Sequence, residues 1–274
     1  MLGVSLRHRG DELVAMPHTV AEYRAGRTTG IPLLHPWANR LSVRRYRAAG
    51  VDVDLTGLDL HTDGHGLPIH GSLSGDGGWR VSKATETTLT AVLDFAARPD
   101  LLASFPFPHQ VAVEIALAPP SLAISTVVSA TADGAVPISF GWHPYLQLPR
   151  SPRRSWRLRL PTRRRIELDD RGLPTGRTCA EPAGTAPLGD RSFDDHYVLG
   201  DDRRMAISGA GRTVSVWLAD GYGFAQVYGP PDQRFICLEP MTAAVNALVD
   251  GTAPVVDAGR SFSARFEITV GDAA

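Results

Sequence analysis

Cysteine is scarce in this sequence of 274 residues, which contains only Cys179 and Cys237. Two cysteines are too few for a disulfide framework, and their spacing matches no common metal-ligand pattern. Disulfide-stabilised proteins of oxidising compartments are therefore a poor model for this chain, and a reducing compartment is the default expectation. We predict a cytoplasmic location.

Long hydrophobic runs are also missing. The most apolar stretch, residues 111–132, is interrupted by Glu114 and by Pro119-Pro120, so it does not have the character of a membrane helix. Residues 1–23 include several charged side chains and lack a continuous apolar core of signal-peptide length. The sequence therefore predicts no association with a membrane.

An excess of one charge is absent as well, because 28 lysines and arginines balance 29 aspartates and glutamates to a net charge of -1. No long-range field that would attract nucleic acid is expected. The one dense basic segment, residues 150–165, contains eight arginines. Within it, Trp156, Leu158 and Leu160 alternate with arginines. This pattern predicts a strand with one buried and one solvated face rather than a phosphate or nucleic-acid patch.

No long segment shows the 3.6-residue hydrophobic period of an amphipathic helix. Apolar residues instead alternate with polar ones, as strands with one buried face require, at residues 51–55, 111–117, 122–128, 214–218 and 262–270. The 27 glycines and 21 prolines supply turns between such strands. We predict an all-β fold, a large antiparallel β-sandwich formed by residues 1–274 as a single domain, with the first and last strands both included.

Glu239 ends an apolar segment, residues 235–238, that otherwise resembles a buried strand. A carboxylate is rarely buried without a partner, and burial raises its pKa toward neutrality. In that range a carboxyl group can take a proton from a hydroxyl group and return it, so Glu239 is a candidate general base. His70 and His143 lie in similarly unusual surroundings upstream. The three residues together indicate acid/base chemistry on a neutral substrate.

Four segments, taken together, resemble the aldose 1-epimerase (galactose mutarotase) family. They are GIPLLHPWANR at residues 30–40, PIHG at 68–71, GWHPY at 141–145, and LEPMT at 238–242 with Asn246 following. Each motif alone is weak, but their order and spacing are specific and they span nearly the whole chain. The resemblance implies a galactose mutarotase-like β-supersandwich that binds a free sugar and interconverts its α and β anomers without a cofactor.

The resemblance also implies roles for the three acid/base candidates. Glu239 would take the proton from the C1 hydroxyl while His143 protonates the ring oxygen, so that the ring opens to the aldehyde. Rotation about the C1–C2 bond and reclosure from the other face would complete the turnover. His70 would donate a hydrogen bond to the ring or C1 oxygen and support the polarised state.

Sugar hydroxyls, by the same resemblance, are bound by Arg40 and Asp194. Arg40 follows Asn39 at the end of the first motif, so Asn39 belongs to the same substrate site. Asp194 lies in a segment similar to the family's acidic strand, in which Asp195 would take its role after a one-residue shift. Gln226 lies where the family has a strand that lines the pocket. The implied partner is a small sugar, with no nucleic acid and no membrane, and we expect a monomer or a homodimer.

Two other functions are open at this point. A non-catalytic carbohydrate-binding or sensor protein would keep the sugar-binding residues but would need neither His143 nor Glu239. A hexose-6-phosphate 1-epimerase would require clustered arginines in the pocket, for which Arg40, Arg44 and Arg45 are the candidates. Of the three functions, the sequence favours an epimerase that acts on neutral aldoses.

A metal site would need aligned ligands, and His61, His65 and His70 are the spaced set that could suggest one. The glycines and the proline between them predict a loop without the i,i+4 geometry of a helical site. We therefore expect no metal site and no cofactor.

Overall fold

Strands dominate the computed structural model, which describes residues 1–272. In chain order they are β1 (Leu2–Gly3), β2 (Arg7–His8), β3 (Asp11–Glu12), β4 (Ile31–Leu34), β5 (Arg45–Ala48), β6 (Val51–Asp54), β7 (Arg80–Ala84), β8 (Thr88–Asp94), β9 (His109–Ala118), β10 (Ser121–Ala130), β11 (Val136–Pro137), β12 (Gly141–Trp142), β13 (Tyr145–Leu146), β14 (Arg157–Leu160), β15 (Arg163–Leu168), β16 (Pro174–Glu181), β17 (Gly184–Pro187), β18 (Phe193–Leu199), β19 (Arg204–Gly209), β20 (Arg212–Leu218), β21 (Phe224–Gly229), β22 (Ile236–Met241), β23 (Val255–Val256) and β24 (Ser261–Asp272).

Helical structure is confined to short pieces, α1 (Val20–Arg24), α2 (Pro99–Leu102) and a 3-10 turn at Arg153–Ser155. Helix α1 begins with a capping box, in which the side chains of Thr19 and Glu22 each accept a hydrogen bond from the other residue's backbone. Within residues 1–272, no helix has the length and apolar character that crossing a membrane requires.

Among the described residues, eighteen of these strands form two large antiparallel sheets of nine strands each, and the other six form three two-stranded sheets. Sheet one has the order β1-β4-β12-β22-β21-β18-β15-β16, with β13 beside β22, and sheet two has the order β17-β14-β19-β20-β24-β10-β9-β8-β7. The first strand therefore belongs to sheet one and the last to sheet two. The predicted all-β antiparallel sandwich is confirmed.

Apolar residues from the two sheets meet in one core. Val227 and Leu238 of sheet one are completely buried in the same cluster as Val113 and Phe266 of sheet two. Because successive side chains of a strand point to opposite faces, the neighbours of these core residues lie on the outer face of each sheet. Sheet one thus has an outer face on which polar side chains can form a site.

The basic segment has the predicted alternation. In β14, Leu158 and Leu160 are buried while Arg157 is exposed. Arg153, in the preceding turn, differs because its guanidinium is buried and donates to the carbonyl oxygens of Gly189 and Gly229, at 3.1 and 3.0 Å. This arginine holds loops together instead of facing solvent.

Candidate active site

A cavity of about 490 Å³ opens on the outer face of sheet one. Residues that alternate with the core side chains of β18, β21 and β22 form its floor, and loops from the first half of the chain complete it. The lining residues are His18, Arg27, Thr28, Asn39, Arg40, His61, Thr62, Asp63, Gly64, Ile69, His70, His143, Tyr145, Asp194, Gln226, Tyr228 and Glu239.

Strand register explains why distant parts of the sequence meet on this floor. His196, Gln226 and Glu239 are directly paired across three adjacent strands. Because paired residues point to the same face of an antiparallel sheet, their side chains form one row. Asp194 and Tyr228 begin a second, parallel row. The floor therefore carries carboxyl, amide and phenol groups in a fixed arrangement.

Glu239 lies within β22, a strand with neighbours on both sides, and its side chain is only 1% exposed. Neither carboxylate oxygen has a hydrogen-bond partner among the described residues. Burial raises the pKa of Glu239 well above its usual value, the negative charge of Asp194 raises it further, and the positive charge of Arg40 opposes both. Glu239 is thus a buried carboxyl group with free oxygens facing a cavity.

His143 follows Trp142, whose indole is buried in the core, so alternation turns the imidazole toward the cavity. The imidazole stacks on the ring of Tyr145, with the centroids 4.6 Å apart and the planes 10° from parallel. The Tyr145 hydroxyl is in turn hydrogen-bonded to Thr28 Oγ1 at 2.7 Å. Burial lowers the pKa of His143 to about 3, so the unbound site favours a neutral imidazole.

The two buried groups form a pair, with His143 Nε2 3.4 Å from Glu239 Oε1. Burial disfavours charge on both, whereas attraction between opposite charges favours an ionised carboxylate beside a protonated imidazole. These two forms contain the same number of protons and differ only in which residue carries the shared one. The pair can therefore release a proton at one residue and accept one at the other without exchange with solvent.

The third acid/base candidate, His70, has a backbone φ of 64°, in the left-handed region. Its Nδ1 accepts a hydrogen bond from the backbone N–H of Asn39 at 3.3 Å, and the backbone N–H of His70 donates to the backbone carbonyl of Asn39 at 3.1 Å. Burial is the main cause that holds the pKa of His70 well below its usual value, and positive charge on Arg40, or on His143 when it is protonated, lowers this pKa further. A neutral ring whose Nδ1 accepts must carry its proton on Nε2, so His70 is a hydrogen-bond donor.

Gly71 allows the His70 loop to approach its neighbour closely. Its φ is 72°, and a Cβ atom there would lie 2.2 Å from the carbonyl oxygen of His35. No other residue fits this position without moving the backbone. The glycine of the PIHG motif is thus explained by the path of the chain beside the cavity.

Arg40 is fixed between two carboxylates. Its Nε donates to Asp63 Oδ2 at 2.8 Å, and its Nη2 lies 3.5 Å from Asp194 Oδ2. The other Asp63 oxygen accepts the amides of His65 and Leu67, which closes the surrounding loop. The guanidinium is therefore held rigidly, and its charge is balanced inside the cavity.

Gln226 connects the two rows of the floor. Its Nε2 donates to Asp194 Oδ1 at 2.6 Å, and its Oε1 lies 2.9 Å from His196 Nδ1. Burial lowers the pKa of His196 to about 4, so this imidazole is neutral and donates from Nδ1. Asp194 is consequently held from one side by Gln226 and from the other by Arg40.

The structure separates the two neighbouring aspartates. Asp194 lines the cavity, whereas Asp195 has the opposite orientation on β18 and lies 4.0 Å from Arg165.

Asn39 is buried beside the cavity with a φ of 57°, and its backbone helps to position His70. The seven residues predicted for the site, Glu239, His143, His70, Arg40, Asp194, Asn39 and Gln226, all line this one cavity.

Two arginines that the sequence suggested for phosphate binding lie outside the cavity, and at least one residue of the site was not predicted from the sequence. Arg44 binds backbone carbonyls and Arg45 pairs with Asp54, and neither lines the cavity. Among the described residues, His61, His65 and His70 do not form a group that could hold a metal ion. Asp63, which binds Arg40, was not among the site residues predicted from the sequence. The available signal for this residue was an aspartate beside a glycine, five residues before the PIHG motif. One oxygen of such an aspartate accepts the backbone amides of its loop, and the other remains free to bind a side chain.

Comparisons with known proteins agree with this geometry. The family model described as aldose 1-epimerase matches residues 4–269. A galactose mutarotase-like protein from Clostridium acetobutylicum has a similar structure, with a TM-score of 0.84 at 18% identity, covering 98% of this chain and 89% of that one. A putative aldose 1-epimerase from Escherichia coli K12 has a TM-score of 0.78 at 18% identity, with coverages of 98% and 92%.

Galactose 1-epimerase from Lactobacillus acidophilus NCFM is also similar in structure, with a TM-score of 0.75 at 12% identity, covering 100% of this chain and 90% of that one. No curated protein matches the sequence significantly. At these identities the structures show a shared fold, while the family model extends over nearly all of the sequence. The chain belongs to the aldose 1-epimerase family.

Proposed function

We propose that this protein is an aldose 1-epimerase that interconverts the α and β anomers of a free neutral aldose. The observation that carries the proposal is the buried pair of Glu239 and His143, 3.4 Å apart in one cavity. A purely structural pair would be expected to satisfy its polar atoms, yet both Glu239 oxygens lack a hydrogen-bond partner among the described residues. These free atoms are available to a substrate.

Ring opening needs one proton removed and one supplied at the same time. Glu239 in its ionised form takes the proton of the C1 hydroxyl, and protonated His143 gives a proton to the ring oxygen as the C1–O5 bond breaks. The product is the open-chain aldehyde, with the proton now on Glu239 and His143 neutral. Rotation about C1–C2 exposes the other face of the aldehyde, and the same transfers in reverse close the ring.

The electrostatics of the pair suit this exchange. Burial favours the uncharged form, in which Glu239 is protonated, and mutual attraction favours the ionised form. The two forms are the protonation states before and after ring opening. A small free-energy difference between them keeps both directions fast, and each positioned acid or base contributes about 10²–10⁴-fold.

The remaining residues position the sugar. His70 donates from Nε2 to the C1 or ring oxygen, because Asn39 occupies its Nδ1. Arg40 and Asp194 bind sugar hydroxyls, and their mutual contacts hold them in place before the sugar arrives. Preorganisation of this kind lowers the entropic cost of orienting the substrate.

Charge balance favours neutral sugars over sugar phosphates. The charge of Arg40 is matched by Asp63 and Asp194. Arg27 also lines the cavity, and it has no acidic partner within ion-pair distance among the described residues. A single unmatched arginine at an exposed position is less than the clustered arginines that tight phosphate binding requires. Arg27 is nevertheless the residue on which a hexose 6-phosphate would depend.

Polarimetry with crystalline anomers tests the proposal. Freshly dissolved α-glucose, α-galactose and other aldoses are followed with purified protein and, as the blank, with the same amount of heat-inactivated protein. We expect rates well above spontaneous mutarotation for at least one neutral aldose. Calorimetric binding of a sugar without any acceleration would support the sensor alternative, and a much higher catalytic efficiency on glucose 6-phosphate would support the phosphate alternative.

A further inference from the structure

A third potential ligand lies next to the acid/base pair. His143, Cys237 and Glu239 are all buried, and one nitrogen, one sulfur and one oxygen atom from them lie within 4.8 Å of one another. Cys237 precedes Glu239 by two positions on β22, so both side chains point to the same face of the strand. Cys237 pairs with Tyr145 on one side and with Tyr228 on the other.

We propose that His143, Cys237 and Glu239 form a binding site for a thiophilic divalent cation such as Zn²⁺, and that the bound ion inhibits the enzyme. The site is distinct from a cofactor site, because the proposed proton transfers need both Glu239 and His143 free. The proposal that this site binds a metal ion depends only on the three ligand atoms. Only the inhibitory effect rests on the proposed function.

The ligand distances are compatible with one tetrahedral ion. With bonds of about 2.1 Å to nitrogen or oxygen and about 2.3 Å to sulfur, a nitrogen and an oxygen ligand of a tetrahedral Zn²⁺ lie roughly 3.4 Å apart, and either one lies roughly 3.6 Å from a sulfur ligand. The observed 3.4 Å between His143 and Glu239 is close to the first value. Since all three atoms lie within 4.8 Å, side-chain movements of about an ångström would complete the set.

The chemistry of the three ligands selects the kind of ion. Thiolate, imidazole and carboxylate together are typical ligands of Zn²⁺, whereas Mg²⁺ and Ca²⁺ prefer oxygen atoms alone. Three protein ligands with a fourth position open to a cavity also allow water or another small ligand to complete the coordination. The two Glu239 oxygens lack any hydrogen-bond partner among the described residues, so a cation would satisfy them.

Inhibition follows from shared atoms. Glu239 and His143 line the sugar cavity, and an ion held between them occupies the atoms that would exchange protons with the sugar. Sugar and metal ion should therefore compete. The sequence did not indicate this group, because His143 and Cys237 are far apart in the chain and meet through the pairing of β12 and β13, the strands on either side of His143, with β22.

Titration with Cd²⁺ measures the site without any reference to catalysis. Metal-free protein is titrated while the ultraviolet absorption of the cadmium–thiolate bond is recorded, and Zn²⁺ binding is measured by calorimetry. We expect one Cd²⁺ per chain with a thiolate band in the wild type. The same result is expected for C179S, which removes the exposed cysteine. C237S should lose the band and bind Zn²⁺ at least about 10-fold more weakly, since losing a ligand should cost no less than losing a residue that orients one.

Competition provides a readout that does not depend on the folding of a variant. A high concentration of a sugar that the wild type binds should weaken Cd²⁺ binding, and Zn²⁺ should slow mutarotation reversibly, with the rate restored by a chelator. A wild-type protein without the thiolate band, or a C237S protein that is folded by circular dichroism and retains it, would overturn the metal site. Metal binding in a protein without mutarotase activity would instead contradict the proposed function.

Discussion

Trp142 donates a hydrogen bond through the core of the sandwich to Thr126, with 3.0 Å between Nε1 and Oγ1. Trp142 belongs to sheet one and Thr126 to sheet two, and both side chains are buried. The next residue after Trp142 is His143, on the cavity side. Because the two residues are adjacent, the buried hydrogen bond between the sheets also helps to position the backbone of His143.

Thr126→Val should lower the stability of the protein. The substitution keeps the shape of the side chain but leaves the buried Trp142 N–H without an acceptor, which costs about 1–3 kcal/mol. Urea denaturation measures the free energy of unfolding. Thr213→Val is the matched control, since Thr213 is a strand residue of sheet two whose side chain makes no hydrogen bond among the described residues. Equal stability of the two variants would show that the indole is satisfied in another way.

Asp63→Asn should weaken substrate binding more than turnover. The amide can still accept the backbone N–H groups of its loop, but it loses the charged hydrogen bond that orients Arg40. Loss of such a bond is worth about 1.5–3 kcal/mol, so KM should rise by roughly tenfold or more while kcat changes little. Asp169→Asn is the control, because Asp169 closes a similar loop through its own backbone contacts. A kcat that falls with an unchanged KM would assign Arg40 to the chemical step.

Arg27→Ala separates neutral from phosphorylated substrates. Arg27 is the cavity arginine without an acidic partner among residues 1–272, so removing it should leave kcat/KM on a neutral aldose within about a factor of three, since exposed side chains contribute little. Any residual activity on a hexose 6-phosphate should fall. Steady-state polarimetry on both substrates makes the comparison, with Arg24→Ala, an exposed neighbour outside this cavity, as the control. A large loss on the neutral sugar would place Arg27 among the sugar-binding residues.

Acid should begin to destabilise the protein near about pH 6.5, above the pH at which ordinary exposed carboxylates titrate. His35 and His109 share a buried hydrogen bond of 2.8 Å, and burial lowers the pKa of His109 to about 4 and that of His35 well below its usual value. Between about pH 6.5 and 4 these two histidines therefore bind more protons in the unfolded chain than in the folded one, so their contribution to stability rises with pH in this window and is lost on acidification.

Each such histidine contributes up to about 1.4 kcal/mol per pH unit across that range. Urea denaturation at a series of pH values gives the slope, which should be smaller in His109→Gln than in the wild type. His65→Gln is the control, because His65 is exposed. A free energy of unfolding that does not change between pH 7 and pH 5 would mean that the buried histidines do not titrate as proposed.

The sequence was sufficient for the fold class because alternation and turn residues are local signals. The strands predicted at residues 111–117, 122–128 and 262–270 correspond to β9, β10 and β24, in which β10 pairs with β9 on one side and with β24 on the other as antiparallel neighbours in sheet two. The motifs likewise supplied the candidate residues, since side chains such as Glu239 stand out within an apolar strand. Strand order and register are long-range properties, and alternation alone does not specify them.

Contacts between side chains could not be predicted from the sequence for the same reason. The contact of Arg40 with Asp63 depends on how two loops fold over the sheet, and the sequence did not single out Asp63. The proximity of Cys237 to His143 depends on the register of β13 against β22. The choice between Asp194 and Asp195 needed the orientation of β18, which a single residue of register shift would reverse.

The central claim is that Glu239 and His143 act as one proton-transfer unit, and the rate of Glu239→Gln tests it most directly. Polarimetry, corrected for spontaneous mutarotation, should show kcat lowered by about 10²–10⁴-fold, while calorimetry shows sugar binding nearly unchanged. Glu114→Gln, at an exposed position of sheet two, is the control. The Glu239→Gln/His143→Asn double variant should lose little more than either single variant, because groups that act as a unit are not additive. Near wild-type anomerisation by Glu239→Gln would contradict the account.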